Sequence, residues 1–164
     1  MYFDAWAALA SAPHLLIAGR LMLAEAYLVH RVSPDRIAGM GIAGHALAVS
    51  MAVQSPQETH LIAGNDNPAP DQRYVYGLHG PRVPGKTSCV IGKKIHVVDD
   101  TGTSGNSLVT LIDMIEAEGG TVAHAQTLVD RSAGKIAELL GQRGIYYSLV
   151  YVLNESDRII EPVM

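Results

Sequence analysis

Between Lys94 and Ile115 the spacing of apolar residues changes from that of a strand to that of a helix, and the change falls across two carboxylates and a run of small residues. Ile95, Val97 and Val98 supply β-branched strand character before the acids Asp99 and Asp100. Leu108, Leu111, Ile112 and Ile115 then fall at i, i+3, i+4 and i+7, one face of a helix. Thr101, Gly102, Thr103, Ser104, Gly105, Asn106 and Ser107 lie between, without a bulky side chain. A strand that enters a helix through such a turn leaves unpaired N–H groups at the positive end of the helix dipole, which suits a phosphate. A plain βα turn with polar caps has the same outline. Two adjacent acids weigh against it, because the end of a buried strand is a costly place for charge without a partner. They suit sugar hydroxyls or a metal-bound sugar phosphate. Neither the Walker A pattern nor G-x-G-x-x-G is present at this turn.

A second unit of the same kind comes earlier. Arg36–Met40 reads as a strand, Gly41 to Gly44 as a glycine-rich turn, and His45 to Val53 as a helix with Leu47, Val49 and Ala52 available for burial. Gly41 and Gly44 allow backbone N–H groups to approach an anion closely. Two such turns at the carboxyl edge of one sheet can form opposite walls of a crevice. Elsewhere, Ala18 to Arg31 reads as a helix with Leu21, Ala24, Leu28 and Val32 towards the core, broken by Ser33-Pro34-Asp35. Leu61 to Ala63 and Arg73 to Tyr76 read as short strands, and Gly77 to Gly92 as a long loop, a lid or a binding loop. Thr121 to Val129 is a further strand, Ser132 the N-cap of a helix over Ala133 to Leu140, and Ile145 to Leu153 the final strand, followed by a solvated tail over Asn154 to Arg158. The succession predicts an α/β fold, a mainly parallel sheet flanked by helices with right-handed crossovers. The expected organisation is one domain over 1–164, with an N-terminal helical segment over 1–32 and a mobile loop over 77–92.

Of the 164 residues, 48% are hydrophobic and 17% charged, which excludes a disordered chain. A net charge of -4 gives no footprint for nucleic acid. The single cysteine, Cys89, excludes a disulfide within the chain and fits a reducing compartment. Asp4 stands where a signal peptide would carry positive charge, and Arg20 and Glu25 interrupt the apolar stretch from Leu15 to Val29, so the reading is a cytoplasmic protein without a membrane span. His14, His30, His60, His96 and His124 are too scattered for a metal site, and His96 reads as a satisfied interior histidine.

The block Asp99-Asp100-Thr101-Gly102-Thr103-Ser104-Gly105-Asn106-Ser107 resembles the phosphoribosyl pyrophosphate loop of type I phosphoribosyltransferases: apolar strand, two acids, two variable residues, then Thr-Ser-Gly-x-Ser. Gly41 to Ala46 is similar to the pyrophosphate loop of the same family. Arg73 to Gly80 resembles the Arg-Lys-x-x-Lys-x-His-Gly signature of its orotate members: Arg73, His79 and Gly80 match, and Tyr74 and Gly77 stand in the lysine positions. Leu128-Val129-Asp130-Arg131 resembles the family's base-side element. The resemblance covers roughly Arg36 to Leu153. It implies a type I phosphoribosyltransferase-like (Rossmann-like) fold, a homodimer, and transfer of ribose 5-phosphate from phosphoribosyl pyrophosphate to a nitrogenous base, orotate above all, with release of pyrophosphate and with magnesium as cofactor. In that reading Asp99 and Asp100 are catalytic and take the ribose hydroxyls, directly or near the magnesium ion. Thr101 to Ser107 hold the 5-phosphate. Gly41, Ile42, Ala43, Gly44 and His45, with Arg73 and His79, receive the pyrophosphate, and Arg131 takes the base carboxylate. Two alternatives stand beside it: a regulatory or non-catalytic protein that binds phosphoribosyl pyrophosphate, and a transferase for another base.

Overall fold

A computed structural model describes residues 9–31, 33–55, 60–65, 74–77, 90–153 and 160–162. Among them seven strands form one sheet in the order β3-β2-β1-β4-β5-β6-β7: β1 Arg36–Met40, β2 His60–Asn65, β3 Tyr74–Gly77, β4 Lys94–Gly102, β5 Thr121–Asp130, β6 Tyr146–Leu153 and β7 Ile160–Pro162. The five central strands run parallel and the two edge strands antiparallel. The helices are α1 Ala12–Ala24, which continues into a π-helical turn Glu25–Val29, then α2 Gly41–Gln54, α3 Asn106–Ala117 and α4 Lys135–Gly141. On one face of the sheet Ile95 and Val97 pack with Leu108, Leu111, Ile112 and Ile115 of α3 and Ile136 and Leu140 of α4. On the other, Ile37, Val98 and Val150 pack with Met22 and Leu23 of α1 and Leu47 and Met51 of α2. The α3 stripe is the one expected from the sequence.

The faces of the first two helices differ from expectation. In α1 and its π turn the buried side chains are Ala18, Met22, Leu23 and Ala26, whereas Leu21 is exposed and Leu28 is 79% exposed. Almost every position from 12 to 29 is apolar, so periodicity could not select a face. Contact selects it: a Cβ on Gly19 would lie on Ser50 of α2, and Ser50 Oγ donates to the Leu15 carbonyl at 2.9 Å. The helix also begins at Ala12, with Pro13 in its first turn, where proline costs no hydrogen bond. Val32 lies outside the described residues. In α2, Leu47, Ala48 and Met51 are buried, Ala52 is half-buried and Val49 is exposed. The stretch Ala12–Val29, with mean hydropathy 1.2, is long and apolar enough to cross a membrane, so the two charges within it do not settle the matter by composition. In the fold only one side of it, with Ala18, Met22 and Leu23, packs in the core.

Ser132 caps from further out than expected: its Oγ accepts from Ile136 N at 3.2 Å, while Gly134, at φ +87°, occupies the position before α4. Beyond the final expected strand the chain returns as β7 along β6, with Tyr151 opposite Pro162; Asn154 to Arg158 lie outside the described residues.

His96 is interior but not satisfied. It stacks on His124 with ring centroids 4.3 Å apart, and neither of its ring nitrogens has a hydrogen-bond partner. Burial, reinforced by His124, holds it well below the ordinary histidine range.

The order 2-1-4-5 places the topological switch point between β1 and β4, which pair in parallel from Arg36–Ile95 to Gly39–Val98. Ligands of open α/β sheets bind outside the carboxyl ends of the strands at such a point.

Candidate functional site

Both glycine-bearing turns lie at that edge. β1 enters α2 with no intervening loop, because Gly41 takes φ +64° and redirects the chain in one residue. Gly41 to Gly44, expected as a turn, are therefore the first turn of the helix. Gly41 and Ile42 face solvent, the latter 74% exposed; Ala43 and His45 are half-buried and Gly44 is buried. The Nδ1 of His45 is buried without a hydrogen-bond partner, and burial lowers the pKa of the ring, so His45 is neutral at neutral pH.

β4 extends through the acid pair to Gly102. Asp99 is 8% exposed, and its Oδ1 accepts from the backbone N of Asp100 at 2.9 Å; Asp100 itself is half-buried. A shallow concavity, open to solvent, is lined by Asp99 and by Thr101 to Leu108. Gly105, at φ +79°, precedes α3, and its carbonyl accepts from Val109 N at 2.9 Å. Thr103, Ser104 and Asn106 are exposed, Ser107 is half-buried, and the buried Oγ1 of Thr101 has no hydrogen-bond partner. Hydroxyls and helix-start N–H groups thus line a concavity with a carboxylate at its rim, an arrangement for an anionic, hydroxyl-bearing ligand.

The two turns touch. The Cα of Gly44 approaches Asp99 so closely that a Cβ there would meet its Oδ1 at 3.1 Å, and a Cβ on Gly39 would lie on the Gly44 carbonyl. On the other side, the backbone N of Arg131 donates to the Gly102 carbonyl at 2.7 Å, which sets the half-buried Arg131 beside the end of β4. Asp130 is buried, its carboxylate accepting from Ser132 N and, at 3.0 Å, from the Tyr147 hydroxyl.

No family model matches the chain. Curated relatives do. Over 80 residues the chain is 40% identical to the orotate phosphoribosyltransferase of Methanopyrus kandleri, covering 49% of this chain and 41% of that one. Over 61 residues it is 41% identical to the orotate phosphoribosyltransferase of Mycobacterium avium, covering 37% and 34%. The matched stretches thus span about two fifths of these relatives' length or less. The fold matches more widely. The orotate phosphoribosyltransferase of Mycobacterium tuberculosis H37Rv in complex with phosphoribosyl pyrophosphate superposes with TM-score 0.73 at 24% identity, over 93% of this chain and 81% of that one. The fold is that of a type I phosphoribosyltransferase. The orotate phosphoribosyltransferase of Aeropyrum pernix, at 25% identity and TM-score 0.68 over 93% and 78%, agrees.

Of the residues that the resemblance to phosphoribosyltransferases singles out, Asp99 to Ser107, Gly41 to His45 and Arg131 are brought to one edge of the sheet. Arg73, His79 and the rest of 78–89 lie outside the described residues. Sequence reasoning overlooked Tyr147, Thr127 and Ile136, which form the floor beneath Gly102. Their apolar or strand-like character carried no signal, because each meets the turn only through strand pairing and helix docking.

Proposed function

We propose that the chain transfers ribose 5-phosphate from phosphoribosyl pyrophosphate to a nitrogenous base, orotate first, with release of pyrophosphate. The single observation that supports this reading is the contact of Gly44 with Asp99, which brings the first turn of α2 beside the end of β4 at the switch point, where open α/β sheets take their ligands. The relatives named as orotate phosphoribosyltransferases support the acceptor.

Chemistry at the anomeric carbon develops positive charge on the ribose while pyrophosphate departs. The N–H groups and hydroxyls of Thr103 to Ser107 hold the 5-phosphate, which fixes the sugar over β4. Asp99 and Asp100 accept from the ribose hydroxyls and place negative charge beside the developing cation. The first turn of α2 receives the leaving group, with neutral His45 available to donate a hydrogen bond, and Arg131 pairs with the base carboxylate through its planar fork. The acid pair is an oxygen-only donor set of two carboxylates, which fits a magnesium ion that keeps waters and substrate phosphates as ligands. Bound at Asp99 and Asp100, magnesium would supply neutralisation of the pyrophosphate charge. Among the described residues, no larger cluster of histidine, cysteine or acid side chains is arranged for a metal. A homodimer and a cytoplasmic location belong to the same reading.

A second reading is favoured by one observation: Tyr74 and Gly77 stand where the orotate signature carries lysines, which fits a protein that binds the donor without turning it over. Purified protein with magnesium, phosphoribosyl pyrophosphate and a panel of pyrimidine and purine bases separates the two. Pyrophosphate release with orotate is the expected result. Donor binding without release for any base selects the second reading, and absence of donor binding removes both.

A further inference from the structure

Behind the site lies a buried polar chain that none of the roles above employs. Thr127 Oγ1 lies 2.6 Å from the Tyr147 hydroxyl, which donates to Asp130 Oδ2 at 3.0 Å; Asp130 Oδ1 accepts from the backbone N of Ser132. The donor order follows from the carboxylate. It can only accept when ionised, so the tyrosine proton points to Asp130 and the threonine proton to the tyrosine oxygen. The same hydroxyl lies 3.3 Å from where a Cβ of Gly102 would sit, beside Ile136 Cδ1 at 2.5 Å and Thr127 Cγ2 at 3.2 Å. A side chain at Gly102 would have to push Ile136 Cδ1 aside. The Arg131 N to Gly102 carbonyl bond, 2.7 Å, closes the loop between the two turns.

We infer that Tyr147 is a positioning residue: through Asp130 it holds the Arg131–Ser132 turn, and through that turn's bond to Gly102 it couples the base side of the site to the phosphate turn. Asp130 is 4% exposed, so its charge needs both donors. Burial and the nearby carboxylates keep the Tyr147 phenol protonated at any physiological pH, so the donor is always present. The role assigned to Arg131 rests on the proposed function; the mechanical coupling of the turns does not.

Tyr147→Phe keeps the ring and removes the hydroxyl, leaving the Asp130 carboxylate one donor short. Losing a hydrogen bond to a charged group should weaken orotate binding, at saturating phosphoribosyl pyrophosphate, about tenfold, while donor binding alone changes less than about twofold, because the phosphate turn keeps its own anchors in α3. Amide hydrogen exchange should quicken together at Arg131, Ser132 and Val109, whose N–H groups are held by Gly102, Asp130 and Gly105. Adding Asp130→Asn, whose neutral amide tolerates the missing donor, should restore both exchange and the orotate response. Equal loss of both ligands with exchange raised across the whole sheet would reduce Tyr147 to a packing residue and overturn the inference. So would unchanged exchange at the two turns, or failure of Asp130→Asn to restore them. If the wild-type protein binds neither phosphoribosyl pyrophosphate nor orotate, the proposed function fails, and the coupling still stands or falls on the exchange measurement.

Discussion

Gly44 rests on Asp99: a Cβ on the glycine would lie 3.1 Å from Oδ1 of the acid and 3.1 Å from the Val98 carbonyl oxygen. The carbonyl belongs to the β4 backbone and cannot retreat, so Gly44→Ala must move either the Asp99 carboxylate or the first turn of α2. The expected result is a loss of about 1–3 kcal/mol in stability, typical of one methyl group too many, with donor affinity reduced about tenfold as the two walls separate. Calorimetry with phosphoribosyl pyrophosphate reads the second effect; undiminished affinity would show that the two turns do not share a ligand.

Asp100 is half-buried in β4 next to Asp99, and its backbone N is already held by the Asp99 carboxylate. Asp100→Asn therefore keeps the local backbone and changes only the chemistry of the side chain. A carboxylate accepts from two hydroxyls without donating, whereas an amide presents one donor. Donor affinity should fall about tenfold, the scale of a hydrogen bond to a charged group. Unchanged affinity would take the acid pair out of the site.

The turn between β4 and α3 was legible because three signals coincide between Lys94 and Ile115: the change of period, the acid pair and the run without bulk from Thr101 to Ser107. The face of α1 was not, since Leu21 and Met22 are equally apolar and only the docking of Gly19 on Ser50 chooses between them. β7 is three residues long and includes Pro162, which local propensity argues against; it exists because β6 offers an edge. Tyr147 looked like an ordinary strand aromatic. Its partner Thr127 is twenty residues away, and pairing of that kind has no local trace.

The bond that ties Arg131 to Gly102 comes from the backbone, so Arg131→Ala keeps it. Arg131→Ala should raise the KM for a carboxylated base about tenfold to a hundredfold, the range for losing a bidentate charged contact, and leave donor binding intact. Bases without an acidic group should respond less. A steady-state comparison of orotate with an uncharged pyrimidine decides the matter, and equal effects on both bases would deny Arg131 the carboxylate.

The stacked histidines make the fold sensitive to acid. His124 is pushed down to about 4, chiefly by burial and also by His30, and His96 lies well below its ordinary value. The groups facing them are Glu25 of the π turn, His30 just after it, and Tyr146 and Ser148 of β6; Ser148 Oγ lies 2.9 Å from His124 Nε2. Both rings are neutral in the folded protein and protonate near pH 6.5 when unfolded, so the unfolded chain binds more protons as pH falls. Stability is complete above pH 6.5 and declines below it, with a slope approaching about 1.4 kcal/mol per pH unit for each histidine, until the folded pKa is reached. For His124 alone the total is about 3 kcal/mol. His124→Gln keeps a polar group near Ser148 and removes one titration. Urea denaturation of both proteins between pH 7.5 and 4.5 should give curves that diverge at high pH and converge towards low pH, the variant losing roughly one proton's worth of slope. Parallel curves across that window would mean that His124 does not titrate on unfolding and that acid acts elsewhere.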